Sequence, residues 1–276
     1  MTTPLRVALF VEGSDEGTFG RRLQQHNPLI TLWQQIAAEL CQVPHFTRVI
    51  PISKRTLTAL SRNLNASLPA MSGAGEGLDQ RLARELKHES FDAAVVIFDL
   101  QPPWNPKASV CQRRELCTLY RGLAVSKEPG LAQSWKDEAQ YRLDELEKKH
   151  QRHVPYLRRH VVLAVCIDPC FEHLLTQNER IIKRALGVEN QRVEDWPRWN
   201  SPEANRKPDK LLGEAIRASR RCRPEPPVLK QIYGDMKVNK NEWGLRFLQE
   251  LVADPQAAGE LRKHPVVDRM QQLLLK

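Results

Sequence analysis

Apolar residues occur in three short, nearly uninterrupted runs that predict buried β-strands. The runs are residues 7–11, 93–98 and 161–167, and residues 49–52 form a weaker fourth. Strands that are covered on both faces have nearly continuous apolar sequences, whereas half-exposed strands alternate apolar and polar residues. The runs therefore predict a parallel sheet whose two faces are both buried.

Segments with helical spacing of apolar residues lie between these runs. Residues 30–40 and 78–86 each place apolar side chains on one helical face, and the charged segment 132–151 predicts a long, largely exposed helix. Residues 171–186 predict a further amphipathic helix, and beyond this point no strand pattern recurs. Strands that alternate with helices predict an α/β fold, with a mostly parallel, Rossmann-like sheet flanked by helices.

The size of the chain fits one α/β core with a helical C-terminal extension. The chain has 276 residues, of which 41% are hydrophobic and 27% charged, an ordinary composition for a globular protein. Prolines break the helical segments that follow the last strand. We expect the core to cover residues 1–190, with the extension, residues 191–276, packed on it.

Membrane and export signals are missing from the sequence pattern. The longest apolar run, residues 161–167, is far shorter than the roughly 20 residues that a transmembrane helix needs. The first residues lack the apolar stretch of a secretory signal. We therefore expect a cytoplasmic protein without a membrane partner, in which the six cysteines are reduced thiols.

The charge balance of the chain favours a polyanionic partner such as nucleic acid. The formal net charge is +9 at pH 7, and the sequence pI is about 9.4. Solvated helix faces explain many basic clusters of this kind, so the clusters alone leave both explanations open. The residues predicted to bind nucleic acid are paired basic residues, namely Lys54, Arg55, Arg113, Arg114, Arg158, Arg159, Arg220 and Arg221.

Acidic residues follow the three clear strands. Glu12 ends the first strand, Asp99 ends the second, and Asp168 and Glu172 follow the third. The carboxyl ends of parallel strands meet at one edge of a sheet, where open α/β sheets bind ligands. Carboxylates gathered there repel one another unless a divalent cation neutralises them, and oxygen ligands suit Mg²⁺ or Mn²⁺. The pattern therefore predicts a metal site of the kind that promotes phosphoryl chemistry.

Some of these acids also fit structural roles. Asp168 is followed by Pro169, a combination typical of the N-cap and first residue of a helix. Glu172 would lie in the first turn of that helix, where acidic side chains are favoured by the helix dipole. Asp99 has no helix nearby to cap, so a structural role explains it less well than it explains the other acids.

The aromatic loop at residues 196–199 has two explanations. Its two tryptophans flank Pro197 and Arg198, and such a combination can stack on nucleic-acid bases. Packing of the indoles between domains explains the same residues about equally well.

Four short motifs resemble a known fold family. Val11-Glu12-Gly13 and Phe98-Asp99-x-Gln101, each at a strand end, resemble the TOPRIM fold of topoisomerases, primases and overcoming-lysogenization-defect (OLD) nucleases. The stretch at residues 168–172 resembles the Pro-Cys-Phe-Glu segment of RloB-like proteins, a TOPRIM-like group often found near defence loci. Residues 233–237 resemble a Tyr-x-x-x-Lys element of related TOPRIM-like proteins.

The resemblance implies roles for the residues that match these motifs. It implies that Glu12 is a general acid/base or metal ligand, that Asp99 is a metal ligand, and that Glu172 is a third acid of the site. It further implies that Lys237 supplies positive charge to the transition state. The family pattern has a second aspartate where this chain has Gln101, whose neutral oxygen can still bind a cation but adds no charge.

Asp168 could compensate for the missing acid if its carboxylate turned toward the site. With that ligand set, the resemblance predicts a Mg²⁺- or Mn²⁺-dependent, nuclease-like enzyme that acts on nucleic acid, in a defence or mobile-element setting. The alternative is a non-catalytic TOPRIM-like module that binds nucleic acid or a partner protein, such as an ATPase or another defence-system protein. Gln101 is the residue that favours the alternative.

Overall fold

A computed structural model of the chain shows two compact units. The first comprises residues 1–24, 42–167 and 269–276, and the second comprises residues 25–41 and 168–268. The predicted core over residues 1–190 and extension over residues 191–276 stay a prediction. The structure describes residues 6–13, 28–40, 47–53, 56–57, 77–88, 91–100, 111–147, 161–168, 170–199, 207–231 and 240–274.

The first unit contains a four-stranded sheet in which all strands are parallel. Its strands are β1 (Val7–Glu12), β2 (Thr47–Ile52), β3 (Ala93–Asp99) and β4 (Val161–Ile167), in the order β2-β1-β3-β4. The predicted strands and the α/β class are thereby confirmed, and the TOPRIM identity of the fold stays a prediction. The β2 and β3 strands lie on opposite sides of β1, so the strand order reverses there.

The helices are numbered here in chain order. They are α1 (Pro28–Gln35), α2 (Leu78–His88), α3 (Gln112–Ala124), α4 (Gln133–Glu147), α5 (Glu172–Leu175), α6 (Glu179–Ala185), α7 (Pro208–Arg220), α8 (Pro227–Gln231), α9 (Lys240–Ala253), α10 (Pro255–Arg262) and α11 (Pro265–Leu274). Helix α1 continues as a π-helical turn over Ile36–Leu40. No described helix is long and apolar enough to cross a membrane.

One face of the sheet forms a single core with α2, α3 and α4. Phe10 and Phe98 are fully buried in this core. The helices contribute Leu78, Leu82, Leu119, Leu123, Trp135, Ala139 and Leu143. Burial of each large apolar side chain stabilises the fold by roughly 1.5–3 kcal/mol. Residues of the opposite face, such as Leu9 and Val95, are also buried, as the continuous apolar runs predict.

Helix α4 buries one narrow face and exposes most of its other residues. It ends at Glu147, within the predicted segment 132–151, and it buries Trp135, Ala139 and Leu143 against the core. Arg142 is buried as well and pairs with Glu138 one turn earlier. The prediction of a long, largely exposed helix is confirmed, because only four of its 15 residues are buried.

Helix α3 supplies polar partners to β4. The backbone N–H of Ala164 donates a hydrogen bond to the Tyr120 hydroxyl over 2.8 Å. The Gln112 side-chain amide donates to the carbonyl oxygen of Cys166 over 2.7 Å. Backbone groups that a strand does not use in its sheet otherwise form a template for pairing with another chain. These two contacts satisfy such groups on β4 within the unit.

The predicted helix over residues 171–186 is two helices in the second unit. Helix α5 ends at Leu175, and α6 begins at Glu179 after Asn178, whose side-chain oxygen accepts a hydrogen bond from the backbone N–H of Ile181. An asparagine at this position is a strong N-cap, so a new helix starts there although the apolar spacing continues. The prediction of one continuous helix was wrong for this reason.

Candidate functional site

Glu12 and Asp99 lie next to each other at the carboxyl edge of the sheet. They are the last residues of β1 and β3, which are adjacent parallel strands. The Glu12 Oε2 atom accepts a hydrogen bond from the backbone N–H of Asp99 over 2.9 Å. Because the strand order reverses between β1 and β3, this is the position where open α/β sheets form a ligand crevice. The structure thus brings together two of the predicted site residues.

Backbone hydrogen bonds fix the ends of both strands. The N–H of Gly13 donates to the carbonyl oxygen of Ile52 in β2, and the N–H of Leu100 donates to that of Ile167 in β4, each over 2.8 Å. The sheet ladder therefore continues one residue past Glu12 and past Asp99. Both acids are partly buried and are carried by regular strands rather than by loops, which holds their positions precisely.

An acidic side chain makes an equivalent bond at the opposite end of the same strand pair. Asp92, just before β3, accepts a hydrogen bond from the backbone N–H of Arg6, just before β1, over 2.9 Å. Both bonds join β1 to β3, one at each edge of the sheet. A carboxylate that accepts a backbone hydrogen bond is thus a structural device in this fold, and Glu12 differs by lying at the ligand-binding edge.

The chemistry of Glu12 and Asp99 fits a hard divalent cation. Each carboxylate has two oxygens with about four lone-pair positions, so one hydrogen bond does not use up its capacity as a ligand. Carboxylate oxygens are the preferred protein ligands of Mg²⁺ and Mn²⁺. Among the residues that the structure describes, no group of three or more His, Cys, Asp or Glu side chains is arranged to hold a metal ion.

Asp168 does not have the predicted N-cap role. The N-cap of α5 is Phe171, and the first turn is closed by a hydrogen bond from the His173 N–H to the carbonyl oxygen of Cys170. Asp168 lies before this turn and is exposed. The prediction was wrong because the helix begins three residues later than the Asp-Pro pair indicates.

Glu172 is buried in the second unit. It is the first residue of α5, with only 6% of its surface exposed, and the predicted position in the first helical turn is confirmed. Its role as a third acid beside Glu12 and Asp99 stays a prediction. Some predicted site residues lie outside the described part of the chain, namely Lys54, Arg55, Gln101, Arg158, Arg159 and Lys237.

The described arginines of the predicted nucleic-acid set have different surroundings. Arg113 donates to the carbonyl oxygens of Leu146 and Glu147, the last residues of α4, so its guanidinium caps that helix. Its neighbour Arg114 is exposed. In the second unit, Arg220 is partly buried, whereas Arg221 is exposed.

Two polar features were not predicted from the sequence. Ser53, just after β2, accepts a hydrogen bond from the Thr56 N–H over 3.1 Å. This is a local cap, and the position of Ser53 just after a strand could have indicated it.

In the second unit, His264 Nε2 lies 3.4 Å from His173 Nδ1. Burial and the neighbouring His173 lower the pKa of His264 to about 4. Because 91 positions separate these histidines, no local pattern could reveal the pair.

Comparisons with protein-family models, with curated proteins and with solved structures found no match to this chain.

Proposed function

We propose that this protein catalyses metal-dependent phosphodiester chemistry on nucleic acid, in the manner of a TOPRIM-type nuclease. The observation that carries the proposal is the adjacency of Glu12 and Asp99 at the carboxyl ends of β1 and β3. Two acids at the reversal point of a parallel sheet lie where this class of fold binds its ligands. The defence or mobile-element setting is part of the proposal and rests on the motif resemblance.

In this proposal, Glu12 and Asp99 hold Mg²⁺ or Mn²⁺ through their carboxylate oxygens. The bound cation would polarise a phosphate oxygen and lower the pKa of a water molecule. The Asp99 N–H orients the Glu12 carboxylate by its hydrogen bond to Oε2, so that this acid does not have to reorganise when a cation arrives. Because β1 and β3 are paired in one sheet, the backbones that carry the two acids have a fixed spacing.

The hydrogen bond between Glu12 and the Asp99 N–H also supports a second function, that of a non-catalytic binding module. Asp92 makes the same kind of bond at the amino edge, which is not where open α/β sheets bind their ligands, so Glu12 also fits a purely structural role. A TOPRIM-like module whose Glu12 only joins two strands would bind nucleic acid or a partner protein, such as an ATPase, without cleaving a substrate.

The test is a cleavage assay with charge-neutral, nearly isosteric variants. The purified chain is incubated with Mg²⁺ or Mn²⁺ and labelled single-stranded DNA, duplex DNA or RNA. Glu12→Gln keeps an acceptor for the Asp99 N–H and removes the charge, and Asp99→Asn leaves the backbone donor in place. Asp92→Asn is the matched control, since it changes the equivalent acid at the opposite edge.

The proposal predicts cleavage by the wild type and by Asp92→Asn. It predicts a loss of at least about a hundredfold in rate for Glu12→Gln and Asp99→Asn, as expected when ligands of a catalytic metal lose their charge. Equal cleavage by all four proteins would locate the activity elsewhere. Binding of nucleic acid without cleavage, unchanged by the substitutions, would support the second function.

A further inference from the structure

Arginines and tryptophans are concentrated in two stretches of the second unit, which an ion pair between Arg221 and Asp195 joins. They lie in the loop before α7 and at the end of α7, and together we call them the arginine–tryptophan surface. It comprises Trp196, Arg198, Trp199, Arg217, Arg221 and Arg223. The four arginines are exposed, and the two tryptophans are partly exposed.

Contacts on the surface join the loop to the helix. Arg221 Nη2 lies 3.1 Å from the Oδ2 atom of Asp195, the residue before Trp196. The ring centroids of Trp196 and Trp199 are 6.3 Å apart, with Arg198 between them in sequence. Arg217 is one helical turn before Arg221 and therefore lies on the same side of α7.

The loop is held in place by α6 and by its own backbone. Trp196 Nε1 donates a hydrogen bond to Glu179 over 3.0 Å, and the Lys183 ammonium lies 5.2 Å from the centre of the indole. Asp195 has a φ of 56°, in the left-handed region that non-glycine residues seldom adopt. Such conformations persist where the surroundings determine them, and they are frequent at ligand-binding positions.

The helix dipole explains only part of this charge. Arg217 lies in the last turn of α7, where cations are favoured by the negative helix end. Arg223 lies beyond the helix, but its guanidinium donates to the carbonyl oxygen of Arg220 at the end of α7, so it too has a capping role there. Arg198 lies in the loop before α7, so the dipole does not account for it. The exposed acids of the described part of this loop are Glu189, Glu194 and Asp195.

The ion pair between Arg221 and Asp195 does not prevent binding of another anion. The two side chains are 59% and 81% exposed, and exposed pairs of this kind are weak and screened by salt. A phosphate can therefore replace the Asp195 carboxylate on Arg221. Arginine is suited to this exchange because its planar fork matches phosphate geometry.

We infer that the arginine–tryptophan surface binds single-stranded nucleic acid. The arginines contact backbone phosphates, and Trp199 stacks on a base, a combination typical of single-strand recognition. Bases of a duplex are stacked on each other, so they do not offer their faces to an indole. The inference rests on the proposed function and deepens it by naming the form of nucleic acid that is bound.

The test measures binding without metal, so that its failure is distinct from failure of the proposed cleavage. Fluorescence anisotropy of labelled 20-nucleotide oligo(dT), oligo(U) and a mixed duplex is followed in EDTA at several salt concentrations. Arg221→Gln/Arg223→Gln and Trp199→Leu are compared with the wild type. Lys230→Gln/Lys263→Gln is the matched control, because it removes the same charge from exposed lysines of the same unit. Circular dichroism verifies that each variant is folded.

We expect the single strands to bind more tightly than the duplex. The double arginine variant should bind at least about tenfold more weakly, with a shallower dependence on salt, and Trp199→Leu about tenfold more weakly. The lysine control should retain most of the affinity. Three results would overturn the inference: no binding to single strands, preference for the duplex, or equal weakening in the lysine control and the arginine variant. If Trp199→Leu does not fold, the arginine comparison alone decides.

Discussion

The carboxylate of Glu12 accepts the backbone N–H of Asp99 over 2.9 Å, across the ends of two neighbouring parallel strands. The bond orients the Glu12 carboxylate by the backbone of Asp99. Arg6 and Asp92 repeat the arrangement at the other edge. The Glu12 carboxylate therefore offers two things, a hydrogen-bond acceptor for the Asp99 N–H and a negative charge for a cation. Substitutions of Glu12 can separate these two roles.

Removal of the acceptor at Glu12 should destabilise the first unit. We expect Glu12→Ala to lower the free energy of unfolding by about 1 kcal/mol, the usual net contribution of one such hydrogen bond. Glu12→Gln keeps an acceptor, so its free energy of unfolding should fall clearly less than that of Glu12→Ala. Urea unfolding followed by circular dichroism measures both. If Gln and Ala cost the same, the bond to Asp99 does not stabilise the fold.

Loss of the Tyr120 hydroxyl should expose the edge of β4. Tyr120 is 5% exposed, and its oxygen accepts the N–H of Ala164. In Tyr120→Phe this partly buried N–H loses its acceptor, which costs about 1 kcal/mol. Hydrogen exchange at Ala164 should accelerate more than exchange at its neighbours Leu163 and Val165. Tyr141→Phe, which changes an exposed tyrosine, serves as the control and should have little effect.

Gly187 should not tolerate a side chain. Its φ of 72° closes α6, where the N–H of Val188 donates to the carbonyl oxygen of Lys183. A Cβ atom there would lie 3.2 Å from Pro226 and 3.3 Å from Val228. We expect Gly187→Ala to lower the free energy of unfolding by about 1–2 kcal/mol, because the left-handed conformation is unfavourable for alanine. Gly259→Ala is the control, since the added Cβ would meet no described atom within 4 Å apart from the adjoining residues and backbone of its own helix. An equal loss in both variants would contradict the expectation.

Acid should destabilise the second unit through His264. Its pKa is about 4 in the folded protein, against an ordinary value of 6.5. Between these two values the unfolded chain binds more protons than the folded one, so the free energy of unfolding falls as the pH falls from 6.5 to 4. The His264 Nδ1 atom accepts the Val266 N–H, an interaction that a second ring proton would oppose.

Thermal unfolding at several pH values in this window tests the role of His264. His264→Asn offers a neutral acceptor to Val266 and should show a weaker dependence of the melting temperature on pH. An unchanged pH dependence in this variant would assign the effect to other groups.

The local patterns of this sequence predict the strands well and the site only in part. Continuous apolar runs identify β1, β3 and β4 because strands buried on both faces need apolar residues at every position. The pairing of Glu12 with the Asp99 N–H depends on strand order, which no local pattern contains. The Asp168 N-cap was wrong because an Asp-Pro pair is compatible with a helix start but does not require one.

Mn²⁺ binding to Glu12 and Asp99 is tested most directly by titration calorimetry of the full chain, in parallel with the Glu12→Gln, Asp99→Asn and Asp92→Asn variants. A cation held by both acids predicts binding to the wild type and to Asp92→Asn, with affinity lower by at least about tenfold in the other two. Absence of Mn²⁺ binding to the wild type, or equal affinity in all four proteins, would contradict a metal site at this edge of the sheet.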